Sequence, residues 1–168
     1  RAPSPPPISG YDPKLTFHEY AQTISALGIR KANTRTWQLF VLGVLAGLYI
    51  SMGGHVFLVA LEQGAGRIVA GMVFSVGLVL VVVAGAELFT GNIIMVVGAI
   101  TGLFSLVKVA RNWVSVYLGN FAGAYLFAWL VWQSGLLGHA GALNPLGELA
   151  ARTAGAKVAL PFAESFIR

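Results

Sequence analysis

The stretch GAELFTGN, from Gly85 to Asn92, decides the fold, because it holds the single charge of a long apolar segment between two glycines. That segment runs from Ile68 to Val107 and its charged residue is Glu87. As one straight helix it would be about 60 Å long, twice the roughly 30 Å of a bilayer core. It is therefore either two passes that turn near Gly85, or a helix interrupted at GAELFTGN with a second half-helix beyond.

The residue types in this stretch favour the interrupted helix. Glycines bracket it, and the side chains of Thr90 and Asn92 can bond backbone groups that leave the helix. Non-helical backbone at membrane depth is tolerated where it is buried in protein or lines a cavity, and broken helices are common in transporters. Glu87 either stabilises the loop by capping a half-helix through backbone N–H bonds, or handles ions directly. Asn92 is predicted to stabilise the loop as well.

The composition of the whole chain places it in the membrane. Of its 168 residues, 57% are hydrophobic and 10% are charged, against about 45–50% and about 25% in soluble domains. The net charge of +5 comes from few residues that flank apolar runs, so membrane topology explains it better than nucleic-acid binding. With no cysteine, and no evident carboxylate pair, metal cluster or nucleophile–base pair, no enzyme, metal or cofactor is predicted.

The chain is predicted to comprise a proline-rich mobile tail, an amphipathic helix and a transmembrane half-domain, over residues 1–15, 16–35 and 36–168. The amphipathic helix either lies on the membrane surface or packs on the membrane domain. Spans are predicted at about 37–61, at 68–107 with a break near 85–92, at 112–137, and at the start of a fourth from 157. Residues 138–156 are predicted as a connection with a turn at Asn144-Pro145, and its segment 149–156 is either a docking helix or a linker.

Basic residues near the span ends predict the orientation. The first span is preceded by Arg30, Lys31 and Arg35, and the connection between the second and third spans contains Lys108 and Arg111. The connection between the first and second spans contains one basic residue, Arg67. By the positive-inside rule the N-terminus faces the cytoplasm or its equivalent. Two pairs of glycines at helical spacing are predicted to pack helices closely, namely Gly43 with Gly47 and Gly119 with Gly123.

Several motifs resemble those of the formate/nitrite transporter family, in the family's order, from about Thr16 to Arg168. They are GIRKA (28–32), FSVGL (74–78), AGAELFTGN (84–92), NWxxxYxGNxxG (112–123), and Lys157-Val158 followed by Phe162 and Glu164. The resemblance implies an all-α, aquaporin-like membrane fold of six spans, with a broken second helix. It also implies a homo-pentamer with one pore per protomer that passes small monovalent anions such as formate, nitrite or hydrosulfide.

The resemblance further implies which residues line the pore. Leu88, Phe89 and Thr90 would lie on the broken loop, Phe74 and Leu78 would form an apolar constriction, and Lys157 would attract the anion. Apolar constrictions exclude water and make a naked anion costly to pass, and the family's usual answer is to protonate the anion transiently. The family's proton-handling histidine belongs to a fifth span, so His18, His55 and His139 do not match it and are expected to be interfacial.

The resemblance covers the first of the family's two inverted repeats. The chain is then part of a full-length channel, or pairs with a copy of itself or another chain, or is a truncated, non-transporting membrane subunit of a hetero-complex. The positive-inside bias opposes antiparallel self-pairing. The first residue is Arg1, which fits either removal of a targeting segment or a numbering that covers only part of a longer product. The expected membrane is a bacterial inner membrane or that of a plastid or mitochondrion.

The mass of the native polypeptide, and of the complex that it purifies in, separates these interpretations. A polypeptide of about twice this length in a fivefold assembly is expected for the channel, because its pore runs between two repeats. A polypeptide of this length in a large hetero-complex would contradict an autonomous channel. Intact-protein and native mass spectrometry give both masses.

Overall fold

The computed structural model describes residues 17–139 and 142–158, which are mainly helical. The helices are α1 (Phe17–Asn33), α2 (Thr36–Glu62), α3 (Gly66–Ala84), α4 (Met95–Ile100), α5 (Leu106–Gln133) and α6 (Pro145–Val158), and a 3-10 helix (Thr90–Ile94) precedes α4. Two short strands, β1 (Gly138–His139) and β2 (Ala142–Leu143), pair antiparallel. The predicted tail over residues 1–15 lies outside the described residues, and so does the predicted fourth span beyond Val158.

Among the described residues, three helices are long and apolar enough to cross a membrane, namely α2, α3 and α5. Each exceeds the roughly 17 residues that a spanning helix needs. The prediction of an all-α membrane fold is confirmed. Helix α2 differs from the predicted span at 37–61 by one residue at each end.

The apolar segment is not one continuous helix, because residues 85–89 separate two helical pieces. Helix α3 ends at Ala84, and Gly85 follows in the left-handed region with φ 63° and ψ 27°, a conformation that suits glycine. Helical structure resumes at Thr90 and continues to Ile100. These 11 residues measure about 16–20 Å, short of the roughly 30 Å bilayer core. The second piece is therefore a half-helix.

Helix α5 begins six residues before the predicted position 112 and ends four residues before the predicted position 137. Gly102, with φ 78°, makes the preceding turn, and the amide of Lys108 donates to the Ser105 carbonyl at 3.0 Å as the helix starts. Gly135, with φ 72°, follows its end. Lys108 and Arg111 therefore belong to the first two turns of α5 and not to a connecting loop.

Residues 145–158 form helix α6, where a connection was predicted as far as Ala156. Asn144 caps this helix, because its Oδ1 accepts a hydrogen bond from the Gly147 amide at 2.8 Å. Pro145 is its first residue and Glu148 lies in its first turn, a pattern typical of helix N-termini. From the sequence alone, the same Asn-Pro pair predicts a turn. Lys157 lies in the last turn of α6, and the chain beyond Val158, where a fourth span is predicted, lies outside the described residues.

The chain divides into two compact units, Arg1–Ala46 with Ala86–Phe121, and Gly47–Gly85 with Ala122–Arg168. We refer to them as the first and second units. The core of the first unit consists of Ala32 of α1, Met95 of α4 and Val109 of α5, with Ala99, Phe104 and Trp113 packed against them. Helix α1 therefore packs on the membrane helices of its unit, which was one of the two alternatives for it.

In the second unit, α2 and α3 approach closely at Gly53 and Gly77. A Cβ atom on Gly77 would lie 2.6 Å from the Tyr49 carbonyl oxygen, and one on Gly53 would lie 2.7 Å from that of Phe74. These distances are below van der Waals contact, so glycine is required at both positions. Gly53 and Gly77 were not among the predicted packing glycines, because spacing along one helix does not show which glycine faces a neighbouring helix.

Replacing Gly77 by alanine is expected to destabilise the protein, whereas the same change at Gly71 of the same helix is not. The new methyl at position 77 overlaps backbone atoms, which typically costs about 1–3 kcal/mol. At position 71 a Cβ would meet nothing within 4 Å, and alanine favours a helix by roughly 0.5–1 kcal/mol. Thermal unfolding in detergent measures both. Equal unfolding temperatures would contradict the close approach of α2 and α3.

Candidate functional site

The GAELFTGN residues form the loop after α3, residues 85–89, and the start of the 3-10 helix. Helices α2 and α5 form hydrogen bonds with the backbone of this loop. The Glu87 amide donates to the Leu42 carbonyl of α2 at 3.2 Å. The Asn120 side chain of α5 donates to the Glu87 carbonyl at 2.9 Å and accepts from the Phe89 amide at 3.0 Å. Because peptide groups at membrane depth need partners within the protein, these bonds stabilise the backbone on both sides of Leu88.

A mostly buried polar cluster connects this loop to α1. The Lys31 ammonium forms an ion pair with the Glu87 carboxylate and donates a hydrogen bond to Asn92 Oδ1 at 2.8 Å. Asn92 Nδ2 in turn donates to Asn112 Oδ1 at 2.8 Å. Both asparagines are fully buried, and the side chains of Lys31 and Glu87 are 17% and 13% exposed. The cluster contains one positive and one negative charge, so the two compensate each other.

The partner that the structure gives to the Glu87 carboxylate is thus an ammonium group from α1, and not the backbone amides of a half-helix. From the sequence, Lys31 was assigned to membrane topology, and its pairing with Glu87 was not predicted. A signal for it existed, because a carboxylate inside a long apolar segment needs a cation or a polar partner. The chain has only 11 lysines and arginines, and Lys31 lies close to the start of the first span.

Phe89 is enclosed by aromatic side chains of α5. Its ring makes edge-to-face contacts with Trp113 and Tyr117, each with the ring centres 5.7 Å apart. The indole nitrogen of Trp113 also donates to the Asn92 carbonyl at 3.1 Å. Trp113 and Tyr117 are one helical turn apart and present one face to the loop. This face therefore contacts both the Phe89 ring and the start of the half-helix.

The remaining residues that the resemblance implied for the pore lie in different places. Leu88 is half-buried, and Thr90 is exposed at the first position of the 3-10 helix. Phe74 and Leu78 are exposed on α3, in the second unit. The structure therefore brings the loop residues 87–92 together in the first unit, while Phe74 and Leu78 belong to the second.

In the second unit, the ring of Phe74 contacts that of Phe57 edge to face, with the ring centres 6.5 Å apart. Lys157 is exposed at the end of α6. His55 of α2 is half-buried, and its ring lies edge to face with Phe127, the centres 6.0 Å apart. His18 lies in α1 and His139 in β1.

Two of the predicted glycines bring α2 and α5 together in the first unit. A Cβ atom on Gly43 would lie 2.9 Å from the Val116 carbonyl oxygen, and one on Gly119 would lie 2.5 Å from that of Phe40. The two helices are therefore in backbone contact at this point. The other two glycines, Gly47 and Gly123, are buried in the second unit.

The C-terminal end of α1 is held by basic residues of α5, which the sequence analysis had assigned to topology. Arg111 donates from Nη2 to the carbonyls of Ala32 and Thr34, at 2.8 and 2.9 Å. Lys108 donates to Asn33 Oδ1 at 2.8 Å. The last carbonyls of a helix have no partner within it and favour a nearby cation. These contacts hold the last turn of α1, which contains Lys31, against α5.

Comparison with known proteins identifies the motifs. The family model described as formate/nitrite transporter matches residues 18–168, which confirms the resemblance. The formate channel FocA of Escherichia coli (strain K12) is 38% identical over 122 residues, covering 68% of this chain and 42% of that protein. A probable formate transporter of Methanothermobacter thermautotrophicus is 35% identical over 137 residues, covering 70% and 50%. The formate channel BtFdhC of Bacillus thuringiensis is 33% identical over 140 residues, covering 77% and 52%.

This chain spans about half the length of the curated relatives that it matches. The matched residues include α2 to α6 entirely and all of α1 except Phe17. They also include all residues of the loop and of the polar cluster.

Removing one partner of the Lys31–Glu87 pair is expected to cost about 3–5 kcal/mol of stability, because the other charge is left buried and uncompensated. Lys31→Met and Glu87→Gln each remove one partner. The double variant removes both charges, so its loss of stability is expected to be much smaller than the sum of the losses in the two single variants. Thermal unfolding in detergent provides the double-mutant cycle.

The pair formed by Glu148 and Arg152 on α6 serves as the control for this cycle. Its side chains are 57% and 80% exposed and 3.5 Å apart, so Glu148→Gln and Arg152→Met are expected to change stability by about 0.5 kcal/mol or less. Additive effects of Lys31→Met and Glu87→Gln, as small as those on α6, would show that the buried pair does not stabilise the loop.

Proposed function

This chain belongs to the formate/nitrite transporter family, and from that premise we propose that it forms half of a pore for a small monovalent anion. It is an integral membrane protein of a transporter family. The substrate class that we propose is formate, nitrite or hydrosulfide. The observation that most supports a pore is the non-helical stretch inside the long apolar segment. The backbone of this loop is bonded to Asn120 of α5, whereas Thr90 is exposed. Non-helical backbone at membrane depth is tolerated where it is buried in protein or lines a cavity, and the exposure of Thr90 supports the cavity.

The charges around the loop support an anion as the substrate. Glu87 would repel an approaching anion if its carboxylate were uncompensated, but it is paired with Lys31. Asn92, the other buried polar residue that contacts Lys31, is uncharged. We propose that the exposed ammonium of Lys157 raises the local concentration of the anion, as a positive group near a pore entrance does.

The apolar residues support a pathway that is closed to water and to naked ions. We propose that Leu88 and Phe89 form one constriction on the loop, and that Phe74 and Leu78 contribute another on α3. Moving an unpaired charge into such surroundings is very costly, so the anion crosses them as its neutral acid after proton uptake. The exposed hydroxyl of Thr90 would donate a hydrogen bond to the anion before that step.

The rest of the pore is proposed to come from a second repeat, with a homo-pentamer as the assembly. Inverted repeats place a substrate path at their interface, and the large apolar side chains exposed on α2, α3 and α5 suit contact with lipid and with other transmembrane helices. The alternative is a membrane subunit of a larger complex that retains the fold and does not transport. A direct measurement of transport separates the two.

Uptake of formate into liposomes that contain the native protein tests the proposal, with external pH lowered to drive proton-coupled entry. We expect uptake above that of protein-free liposomes, and a fall of roughly tenfold to a hundredfold in Thr90→Val, the effect of losing one hydrogen bond to a charged group. Nitrite and hydrosulfide are measured in the same way.

Thr101→Val is the matched control. Its hydroxyl is bonded to the Val97 carbonyl of its own helix turn at 3.0 Å, so uptake is expected to stay within about twofold, since exposed substitutions of this kind have small effects. Uptake in Thr90→Val equal to that of wild type would show that the Thr90 hydroxyl does not bind the anion during transport. No uptake of any of the three anions by wild type would favour the non-transporting subunit.

A further inference from the structure

We infer that Asn120 is a positioning residue that sets the width of the loop constriction, an inference that rests on the proposed transport function. Its side-chain amide makes three hydrogen bonds: Nδ2 donates to the carbonyls of Glu87 and Gly43, both at 2.9 Å, and Oδ1 accepts from the Phe89 amide at 3.0 Å. Both donor hydrogens and the acceptor of the amide are therefore in use.

The bonds to Glu87 and Phe89 confine Leu88 from both sides. The carbonyl before Leu88 and the amide after it are held by one planar group, in the way that a neighbouring β-strand would hold them. The backbone direction at Leu88, and with it the direction in which the Leu88 side chain extends, is thus determined by a residue of α5. Other residue types do not reproduce this, since aspartate lacks the donors and alanine lacks all three groups.

The third bond, to Gly43, fixes Asn120 itself. It exists because α2 and α5 are in backbone contact one residue earlier, where a Cβ atom on Gly119 would lie 2.5 Å from the Phe40 carbonyl oxygen. Only at that helix separation can the short side chain of Asn120 reach a carbonyl of α2 and the loop simultaneously. The close contact at the glycines therefore fixes the position of the Asn120 side chain, and this side chain fixes the position of the loop backbone.

The same face of α5 also positions the Phe89 side chain. Trp113, Tyr117 and Asn120 follow one another at helical spacing, the first two against the Phe89 ring and the third against its amide. When the Asn120 bonds are removed, the ring contacts and the bond from the Glu87 amide to the Leu42 carbonyl remain, whereas the Glu87 carbonyl and the Phe89 amide lose their partner. The backbone between these two groups is then free to change direction at Leu88, and the constriction at Leu88 and Phe89 widens or loses its shape.

The test compares Asn120→Ala and Asn120→Asp with wild type by two measurements on the native protein. The first is the ratio of formate uptake to lactate uptake in liposomes, because a wider constriction favours the larger monocarboxylate. The second is hydrogen exchange of peptides that cover residues 86–92. For Asn120→Ala we expect the formate-to-lactate ratio to fall about fivefold to thirtyfold, as for one or two net hydrogen bonds, and the Phe89 amide to exchange faster.

Asn120→Asp keeps an acceptor for the Phe89 amide and removes the donors to the two carbonyls. We therefore expect the Phe89 amide to stay more protected in this variant than in Asn120→Ala, while the uptake ratio still falls. Ser115→Ala is the matched control on the same helix, because Ser115 is 8% exposed and its hydroxyl donates to the Arg111 carbonyl of its own helix, at 2.7 Å. It is expected to change neither measurement.

The two measurements separate failure of this inference from failure of the proposed function. Unchanged exchange at residues 86–92 in Asn120→Ala, or faster exchange with an unchanged uptake ratio, would overturn the positioning role. If wild type takes up no anion, the proposed function fails, and the exchange measurement alone then decides whether Asn120 holds the loop.

Discussion

Each peptide group that leaves the helix between Ala84 and Thr90 needs a partner within the protein, because hydrocarbon supplies none. A buried amide or carbonyl without such a partner costs several kcal/mol. Leu42 and Asn120 supply partners around Glu87 and Phe89, and they come from α2 and α5. The close approach of these two helices at their glycines follows from the same requirement, since the side chain that bonds the loop is a short one.

The charge of Glu87 imposes a second requirement of the same kind. Its carboxylate is compensated by Lys31, so the end of α1 has to lie beside the loop. Arg111 and Lys108 bind this end through carbonyl and amide oxygens. The basic residues at this end of the spans therefore have structural partners in addition to any effect on topology. The loop depends on segments of the first unit that lie far apart in the sequence.

Sequence reasoning succeeded where a single segment contains the information. The length and apolar character of residues 68–107, with one charge between glycines, predicted a membrane protein in which this segment is not one continuous helix, and the motifs identified the family. It failed where the information lies in the pairing of segments. The partners of Glu87 and Phe89, and the contact between Gly53 and Gly77, depend on which helix faces which, and spacing along one helix does not reveal this. Helix α6 was not predicted for a different reason. An Asn-Pro pair is common both in turns and at the start of helices, so Asn144-Pro145 does not distinguish the two.

The bond between Asn120 and Phe89 joins residues 31 positions apart, and this separation has a consequence for biosynthesis. When the loop first reaches the membrane during synthesis, the helix that completes its bonding has not yet entered the membrane. The carbonyl of Glu87 and the amide of Phe89 therefore remain without these partners until α5 has been inserted. Insertion of the segment that precedes α5 is thus incomplete by itself, and its final position in the membrane is reached only as part of a helical hairpin with α5.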